Sequence, residues 1–470
     1  MTEIYFIISV VLIITLFFVR VIAISHALVF IFIGLLGWLC VNEWLLLDLP
    51  VEGLLHADAL GVLFLFITLI ITFFSTIHYI IYAQKRNQGV RAISIHNGSF
   101  VIFVTAISGV FLSTHIGLLW AFLEASTLSG AALIYHDRDR LALEATWKYL
   151  FVSSIGVTLG FAGIMFLSIA AHNTPNDIDS LIAAAPLMNI GWIKTSFIFV
   201  LTGFSVKMGA VPLFTIDIDA KDSSPSPIGA MFSGPLMSVG FMAIFRFYQI
   251  YSHTSILPWM NNLLLLTGVL SLFLAAVFIL KTNNYKRMLA YSSMEHAGLI
   301  LVAFSTGVTG YLVAILHLTI HAFAKAGLFF EIGQVHRVFN SKITEECGGY
   351  FKISPIGSIT VLAGLLAIVA FPPSGLFMTE FMLFKSLMIS GKWWIVFIVM
   401  FLLCFFVYAM VRNFFSLVFI DNPQAKFFAK VNPLESVPPL VLIGTVLVVG
   451  VMRPEFVIDL INKAILVLPH

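Results

Sequence analysis

The sequence predicts an all-α membrane protein with about fourteen transmembrane helices, and three observations support that prediction. Of its 470 residues, 60% are hydrophobic and only 10% are charged, whereas about 25% of residues are charged in soluble proteins. Apolar runs of about 20 residues, the length that crosses a bilayer as a helix, recur from end to end. Proline and glycine break two of these runs at corresponding places, which indicates two inverted repeats of five helices.

Polar breaks divide the apolar sequence into spans and leave no segment long enough to fold as a soluble domain. The first run has neither a basic region before it nor a small-residue cleavage site after it, so we predict a span there and not a signal peptide. The predicted spans are 3–24, 26–47, 58–83, 98–115, 117–135, 147–171, 193–213, 225–251, 259–280, 288–305, 310–335, 354–390, 393–420 and 436–452.

The seventh and twelfth spans are the broken ones. They are interrupted at Gly209-Ala-Val-Pro212 and at Phe371-Pro-Pro-Ser-Gly375, because proline removes a backbone donor and kinks a helix. Backbone freed at membrane depth is tolerated only against protein or a wet cavity, so both breaks should lie inside the bundle. The predicted regions are 1–97 for helices 1–3, 98–251 for the first repeat (helices 4–8), 259–420 for the second repeat (helices 9–13) and 436–452 for helix 14.

Lysine and arginine predict the orientation, because cytoplasmic loops carry an excess of both. With the N-terminus outside, only Lys194, Lys392, Arg453 and Lys463 fall on the outer side, and the acidic loop with Glu43, Asp48, Glu52 and Asp58 faces outward. We therefore expect a multi-pass protein of the cell (inner) membrane. The inner loops then hold Arg20, Lys85, Arg86, Arg91, Arg138, Arg140, Lys148, Lys221, Lys281, Lys286, Arg287, Arg337, Lys342, Lys352, Lys426 and Lys430.

Several classes of chemistry have no residues to carry them. Cys40, Cys347 and Cys404 stand alone, without the paired spacing of a zinc or iron–sulfur site. No glycine-rich nucleotide loop, Walker loop or HExxH motif occurs in a strand-to-helix context. We therefore expect no cofactor bound by this chain, and we expect the lipid bilayer, not nucleic acid, as its surroundings.

Glu124 and Lys207 are the charged candidates of the first repeat. A charge near the bilayer centre costs about 2.5 kcal/mol or more, so it marks a functional site by default. Glu124 lies among Ser126, Thr127 and Ser129, and a carboxyl that alternates between protonated and cation-paired states is what a proton relay needs. Lys207 lies one turn before the first break, and Glu124 is its predicted partner. The alternatives are a structural carboxylate and a structural salt bridge.

The eleventh span carries His317, His321 and Lys325 at steps of four residues. At 100° per residue these three side chains lie within about 80° of arc on one helical face. A row of titratable groups that faces the bundle interior is the outline of a proton wire. For His317 the alternative is a packed core histidine.

Two acidic residues complete the candidate set. Glu380 follows the second break, and by repeat symmetry it takes the place of the first repeat's lysine. Glu144 is four residues before Lys148 at the inner end of the sixth span, which predicts either a surface ion pair or a contribution to an inner channel mouth. Segment 286–296, which ends in Glu295-His296, is placed at the inner end of the tenth span as an orientation signal.

Five segments together carry a resemblance to a known family over residues 55–420. They are Trp120-Ala-Phe-Leu-Glu124-Ala-Ser-Thr-Leu, Lys207-Met-Gly-Ala-Val-Pro-Leu, Ser224-Pro-Ser-Pro-Ile-Gly-Ala-Met-Phe-Ser-Gly, Lys286-Arg-Met-Leu-Ala-Tyr-Ser-Ser-Met-Glu-His-Ala-Gly and His321-Ala-Phe-Ala-Lys-Ala-Gly-Leu-Phe-Phe. The chain resembles the antiporter-like subunits shared by respiratory complex I, Mrp-type cation/proton antiporters and membrane-bound group 4 nickel–iron hydrogenases. Segments 291–298 and 373–381 look most like the hydrogenase-4 component F branch.

The resemblance implies roles for four residues and exposes three departures. It implies a Glu on the fifth span paired with a Lys on the seventh, a central Lys on the eleventh and an outward exit on the twelfth, which Glu124, Lys207, Lys325 and Glu380 match.

The sequence departs from the family pattern at three places. Ser238 replaces the lysine that many relatives carry on the eighth span. Segment 212–221 replaces both histidines and one proline of the usual motif, and the chain is expected to end after span fourteen without a lateral helix.

The sequence therefore predicts a subunit that moves H⁺, or alternatively Na⁺, within a complex I-like or hydrogenase-like assembly. Its expected partners are other membrane subunits and redox subunits, which carry out the electron transfer, so this chain is expected to be a non-redox subunit. Three alternatives remain: a stand-alone cation/proton antiporter, a proton-flux partner of an inorganic-carbon uptake module, and a scaffold that has lost its channel.

Overall fold

The chain is a bundle of α-helices. A computed structural model describes residues 2–49, 53–172, 174–423, 425–429 and 431–469, and no β-strand occurs among them. The helices of the first part are α1 (Thr2–Phe18), α2 (Ile22–Leu45), α3 (Ala59–Lys85), α4 (Val90–Leu112), α5 (Ile116–Ile134), α6 (Arg140–Ala170), α7 (Ile178–Ala184), α8 (Ile190–Met208), α9 (Thr215–Ser223), α10 (Ser226–Ser233) and α11 (Pro235–Tyr251).

The second part of the chain continues the bundle with nine further helices. They are α12 (Leu257–Leu280), α13 (Tyr285–Phe304), α14 (Val308–Phe339), α15 (Tyr350–Ile353), α16 (Pro355–Ile368), α17 (Gly375–Ile389), α18 (Trp393–Phe419), α19 (Val437–Leu447) and α20 (Glu455–Ile465).

The length and apolar composition of these helices confirm the membrane class. In the described part of the chain, eleven helical segments are long and apolar enough to cross a bilayer, and three shorter apolar helices accompany them. Two further helices, α13 and α17, carry buried charged residues and correspond to the tenth predicted span and to the second part of the twelfth. The count of fourteen spans and the repeat relationship stay predictions.

Both predicted helix breaks are present. Helix α8 ends at Met208, where Gly209 adopts a left-handed φ of 72°, a conformation that favours glycine because it has no Cβ. Helix α16 ends at Ile368, and α17 begins after Ser374, whose hydroxyl accepts the Phe377 N–H at 3.2 Å. Such a cap supplies a partner for a free N–H at the start of a helix.

The structure keeps the eighth predicted span as one membrane-crossing segment, Ser226–Tyr251, but interrupts its helix at Gly234, where Pro235 cannot donate a backbone hydrogen bond. It corrects the predicted spans at three other places. Helices α4 and α6 begin earlier than the predicted 98 and 147, because their first turns are polar and escape a search for apolar runs. The predicted end after span fourteen is also wrong, since the amphipathic helix α20 follows and packs on α3 and α14.

Glycines bring α6 and α8 into close contact, and this contact positions the first group of candidate residues. A Cβ added to Gly203 would lie 2.4 Å from the backbone N of Gly160, and one added to Gly163 would lie 2.7 Å from Val200. Small residues of this kind let helix backbones approach closely in membranes. Helix α9 packs against both α6 and α13, so it connects the two parts of the bundle.

Three of the predicted outer acidic residues have a basic side chain or a histidine as their neighbour. Glu43 is buried and lies 2.9 Å from His56 Nδ1. Asp58 receives two hydrogen bonds from Arg246, at 2.6 and 2.8 Å. The exposed Asp48 pairs with Lys463 at 3.0 Å. Two further residues used for the orientation, Glu52 and Lys430, lie outside the described residues.

Candidate functional site

Glu124 lies half-buried on α5 and faces α6. Its Oε1 accepts a hydrogen bond from the Ser154 hydroxyl at 2.7 Å. The three hydroxyls near it in sequence donate to carbonyls of their own helix, for example Ser126 to Leu123 at 2.6 Å and Ser129 to Ala125 at 2.7 Å. The hydroxyl that contacts Glu124 therefore comes from the neighbouring helix α6 and not from residues 126–129.

Lys207 is buried in the last turn of α8, with 2% of its surface exposed. Its ammonium group donates to the Tyr149 hydroxyl at 3.4 Å and lies 5.4 Å from the centre of that ring, a favourable cation–π geometry. Glu124 and Asp217 are the acidic groups that act on it electrostatically. A direct Glu124–Lys207 ion pair is not among those formed within the described ranges, so each of the two is held by a neutral hydroxyl.

Helix α9 places a buried ion pair beside the first break. Lys221 Nζ lies 2.5 Å from Asp217 Oδ2, and the two side chains are 1% and 5% exposed. Asp217 also packs on Gly209, where an added Cβ would lie 2.6 Å from its carboxylate. The placement of Lys221 in an inner loop was therefore wrong. The i,i+4 spacing of Asp217 and Lys221 was the signal that could have revealed the pair.

The same helix forms the floor of a polar cavity at the predicted inner side. A cavity of about 100 Å³ is lined by Glu144, Lys148, Asp219, Asp222 and Arg287, among others. Glu144 and Lys148 form an exposed ion pair at 2.6 Å, and Arg287 lies 2.8 Å from Asp219. Burial alone would raise the pKa of Asp222, but the Lys342 and Lys286 cations bring that pKa below its usual value.

Lys325 lies at the centre of the second group, on α14, and is fully buried. Its ammonium group donates to the Leu289 carbonyl at 2.8 Å and to the Ser292 hydroxyl, both on α13. The electrostatic environment of Lys325 includes Lys221, Glu295 and Asp217. Asp217 therefore acts on both Lys207 and Lys325, and Lys221 acts on Lys325. Ser238 donates to the carbonyl of Gly234, which directly precedes its own helix.

The histidines of α14 are connected through α13. His317 Nε2 lies 3.0 Å from His296 Nδ1, and His317 Nδ1 lies 2.8 Å from the Thr379 hydroxyl on α17. The ring of His321 lies 4.8 Å from that of His296 with the two planes tilted by 57°, and neither nitrogen of His321 has a hydrogen-bond partner among the described residues. His317, His321 and Lys325 lie along one face of α14, as predicted. The contacts of the two histidines are with residues of α13 and α17.

Glu380 belongs to a buried acidic group that the sequence did not reveal. Glu380 on α17 is 8% exposed, and ligand-type atoms of Glu295, His296 and Glu380 all lie within 4.8 Å of one another. Glu295 was placed at the inner end of its span, which is wrong, because α13 begins at Tyr285 and puts Glu295 halfway along the helix. A mid-helix carboxylate was the signal that could have identified it.

A family model covers the segment that carries all seven candidate residues. The model described as "NADH:quinone oxidoreductase/Mrp antiporter, TM" matches residues 113–405, more than half of the chain. The chain belongs to this family. The resemblance inferred from the five sequence segments is therefore confirmed.

Two curated relatives agree with this membership. The chain is 32% identical over 281 residues to the hydrogenase-4 component F homolog of Methylacidiphilum infernorum, covering 58% of this chain and 59% of that protein. It is 29% identical over 367 residues to the F(420)H(2) dehydrogenase subunit N of Methanosarcina mazei, covering 75% of this chain and 73% of that protein. The chain thus spans about three fifths of the length of the first relative.

Solved structures share the fold over nearly the whole chain. A chain of the membrane-bound sulfane sulfur reductase, an archaeal respiratory membrane complex, superposes with a TM-score of 0.87 at 21% identity, covering 98% of this chain and 96% of that one. A chain of respiratory complex I from Thermus thermophilus gives a TM-score of 0.80 at 18% identity, covering 97% and 98%. The antiporter-like helical architecture therefore extends beyond the segment that the family model matches.

Proposed function

We propose that this chain moves protons across the membrane as an antiporter-like, non-redox subunit of a larger energy-converting complex. The observation that carries the proposal is the series of ionisable side chains inside the bundle: Glu124, Lys207, Asp217, Lys221, Lys325, Glu295 and Glu380. Burying so many charges is costly, so a chain that retains them is expected to use them. Redox chemistry then belongs to partner subunits, and this chain itself binds no cofactor.

The proposed path has two halves joined at α9. Protons enter through the polar cavity near Glu144 and reach Glu124 and Lys207. The Asp217–Lys221 pair carries the change in charge to Lys325. In doing so, the pair takes over the role that a lysine at position 238 has in many relatives. His317 and His321 connect Lys325 with the exit at Glu380. Contacts of α9 with α6 on one side and with α13 on the other support this link.

The proposed frame is a bundle of fourteen spans with the N-terminus outside. It consists of helices 1–3, two inverted repeats at 98–251 and 259–420, and helix 14. The helix interruptions at Met208 and Ile368 support the repeats, because they occur at corresponding places in the two halves. The same orientation places the polar cavity near Glu144 on the inner side.

The direct test uses the purified full-length chain in lipid vesicles. A potassium diffusion potential, negative inside, drives cations inward, and a pH-sensitive dye in the lumen reports proton uptake. We expect uptake by the wild-type chain and uptake at the level of empty vesicles for Lys325→Ala, because the central proton-binding group is lost. Equal uptake by the two proteins would refute the proposal. Uptake that requires Na⁺ on the opposite side would favour a stand-alone cation/proton antiporter.

The partners are tested separately. Mass spectrometry of the gently solubilised native complex should identify redox subunits together with other membrane subunits. A native complex that contains an inorganic-carbon module in place of redox subunits would overturn this assignment, and so would a native chain that is recovered without any partner subunit.

A further inference from the structure

Glu295 is a buried carboxyl without a hydrogen-bond partner. Its side chain is 2% exposed, and neither oxygen accepts a hydrogen bond from any described residue. His296 is a polar neighbour, and its Nε2 lies 3.5 Å from Glu295 Oε2. A carboxylate left without donors in such a place is strongly disfavoured, so an uncharged or proton-sharing state must account for it.

One arrangement of the hydrogen bonds next to Glu295 favours a proton on that carboxyl. In it, the Thr379 hydroxyl donates to the carbonyl of Leu376, at 2.9 Å, and accepts from His317 Nδ1, at 2.8 Å. A neutral His317 then carries its proton on Nδ1 and accepts at Nε2. His296 donates to it from Nδ1, at 3.0 Å, and presents a bare Nε2 to Glu295. A bare nitrogen is an acceptor, so a protonated Glu295 fits this arrangement.

The balance of charges around Glu295 also indicates one proton. The charged groups that act on Glu295 are Glu380 and Lys325, while His296, His317 and His321 are the neighbouring imidazoles. One lysine compensates one of the two carboxylates, and the other needs one more positive charge. A divalent metal is disfavoured beside the Lys325 ammonium group, and a hard monovalent ion prefers oxygen ligands to an imidazole. A single proton balances the charge.

We propose that Glu295 and Glu380 together hold one proton, carried mainly on Glu295 and facing His296 Nε2. The pair is then a proton-binding site near the exit of the path. When the proton moves from Glu295 to the Glu380 carboxylate, whose ligand-type oxygen lies within 4.8 Å, Glu380 becomes the neutral acid and Glu295 is left as the carboxylate that Lys325 compensates. The transport role of this site rests on the proposed function, but its proton occupancy does not.

Infrared spectroscopy of the full-length chain in lipid measures this occupancy directly. At neutral pH the wild type should show the C=O stretch of one protonated carboxylic acid from this pair, shifted in D₂O. Glu295→Gln and Glu380→Gln should each abolish that signal, because the remaining carboxylate pairs with Lys325. Lys325→Met should increase it about twofold, because both acids must then be protonated.

Glu331→Gln is the matched control, since Glu331 is another buried carboxyl on α14 but receives a hydrogen bond from Tyr350 at 3.0 Å. It should leave the signal of the pair unchanged. If each Gln variant lost only part of the signal, the two carboxyls would not share one proton. If the signal disappeared when Na⁺ was added, the site would be a sodium site and not a proton site. Wild-type vesicles that take up no protons would instead overturn the proposed function and leave the infrared result standing.

Discussion

The two halves of the candidate path hold their charges in different ways. In the first half, Glu124 and Lys207 each have one neutral hydroxyl partner, Ser154 and Tyr149 respectively. In the second half, Lys325 is held by α13, while Glu295 has no hydrogen-bond donor among the described residues. Hydroxyl groups of the protein therefore stabilise the charges of the first half. In our proposal, the two carboxyls of the second half need a mobile proton to balance their charge.

The largest effect is expected where the halves meet. The double variant Asp217→Asn/Lys221→Met removes both buried charges without leaving either unpaired. We expect the chain to fold and proton uptake to fall at least about 100-fold, because crossing an uncharged gap adds several kcal/mol and ~1.4 kcal/mol is a factor of ten. Vesicle uptake and thermal unfolding in detergent measure the two properties.

Single variants and a control separate a relay from a structural pair. Lys221→Met alone leaves Asp217 buried and unpaired, which should cost about 3–5 kcal/mol of stability. Asp459→Asn/Lys463→Met alters an exposed i,i+4 pair and should change neither property. Normal uptake in the Asp217/Lys221 double variant would mean that the pair only stabilises the fold and that the halves communicate elsewhere.

A smaller effect is expected in the histidine chain of the second half. Thr379→Val removes the acceptor of the His317 Nδ1 proton, so His317 and His296 can reverse their tautomers and Glu295 loses its acceptor. We expect uptake to fall about tenfold, the effect of ~1.4 kcal/mol. Thr379→Ser should restore the wild-type rate because it keeps the hydroxyl. Equal losses in both variants would show that Thr379 acts by packing alone.

The corresponding change in the first half should be weaker. Ser154→Ala removes the hydroxyl that donates to Glu124, but the carboxylate is half-buried and water can replace the hydroxyl. We expect uptake to fall about fivefold or less, the effect of ~1 kcal/mol. The adjacent Ser153 has a buried hydroxyl that does not contact Glu124, so Ser153→Ala is the control. A larger loss in Ser154→Ala than in Thr379→Val would reverse the contrast between the halves.

The smallest effect is expected at the surface. Glu144 and Lys148 are 58% and 51% exposed, and exposed i,i+4 pairs contribute only about 0.3–0.5 kcal/mol. Glu144→Gln should therefore change uptake by no more than about twofold, measured at low and at high salt. A tenfold loss would identify Glu144 as a required group at the inner mouth and not as a surface ion pair.

Sequence reasoning predicted the elements that depend on local chemistry. Apolar runs, prolines and glycines were sufficient for the membrane class and for both helix breaks, because proline and glycine act within one turn. The stepwise spacing on the eleventh span placed His317, His321 and Lys325 on one helical face. Boundaries failed where a helix begins with polar residues, as at Arg140.

The partners of the charged residues could not be predicted, because they come from other helices. Ser154, Tyr149 and His296 are unremarkable in sequence and acquire their roles only when helices pack. Glu295 was misplaced because it was grouped with the basic pair Lys286-Arg287 as an orientation signal, although it already lies near the middle of the predicted span 288–305. Asp217 and Lys221 occupy a segment that departs from the family motif, so the resemblance offered no role for them.

The most direct test of a single path compares Lys207→Met with Lys325→Met in the vesicle assay. The two lysines lie in different halves, and both are buried. If the halves act in series through α9, each variant alone should reduce proton uptake to the level of empty vesicles while the other half remains intact. Substantial uptake by either variant would show that one half conducts without the other and would contradict the proposed path.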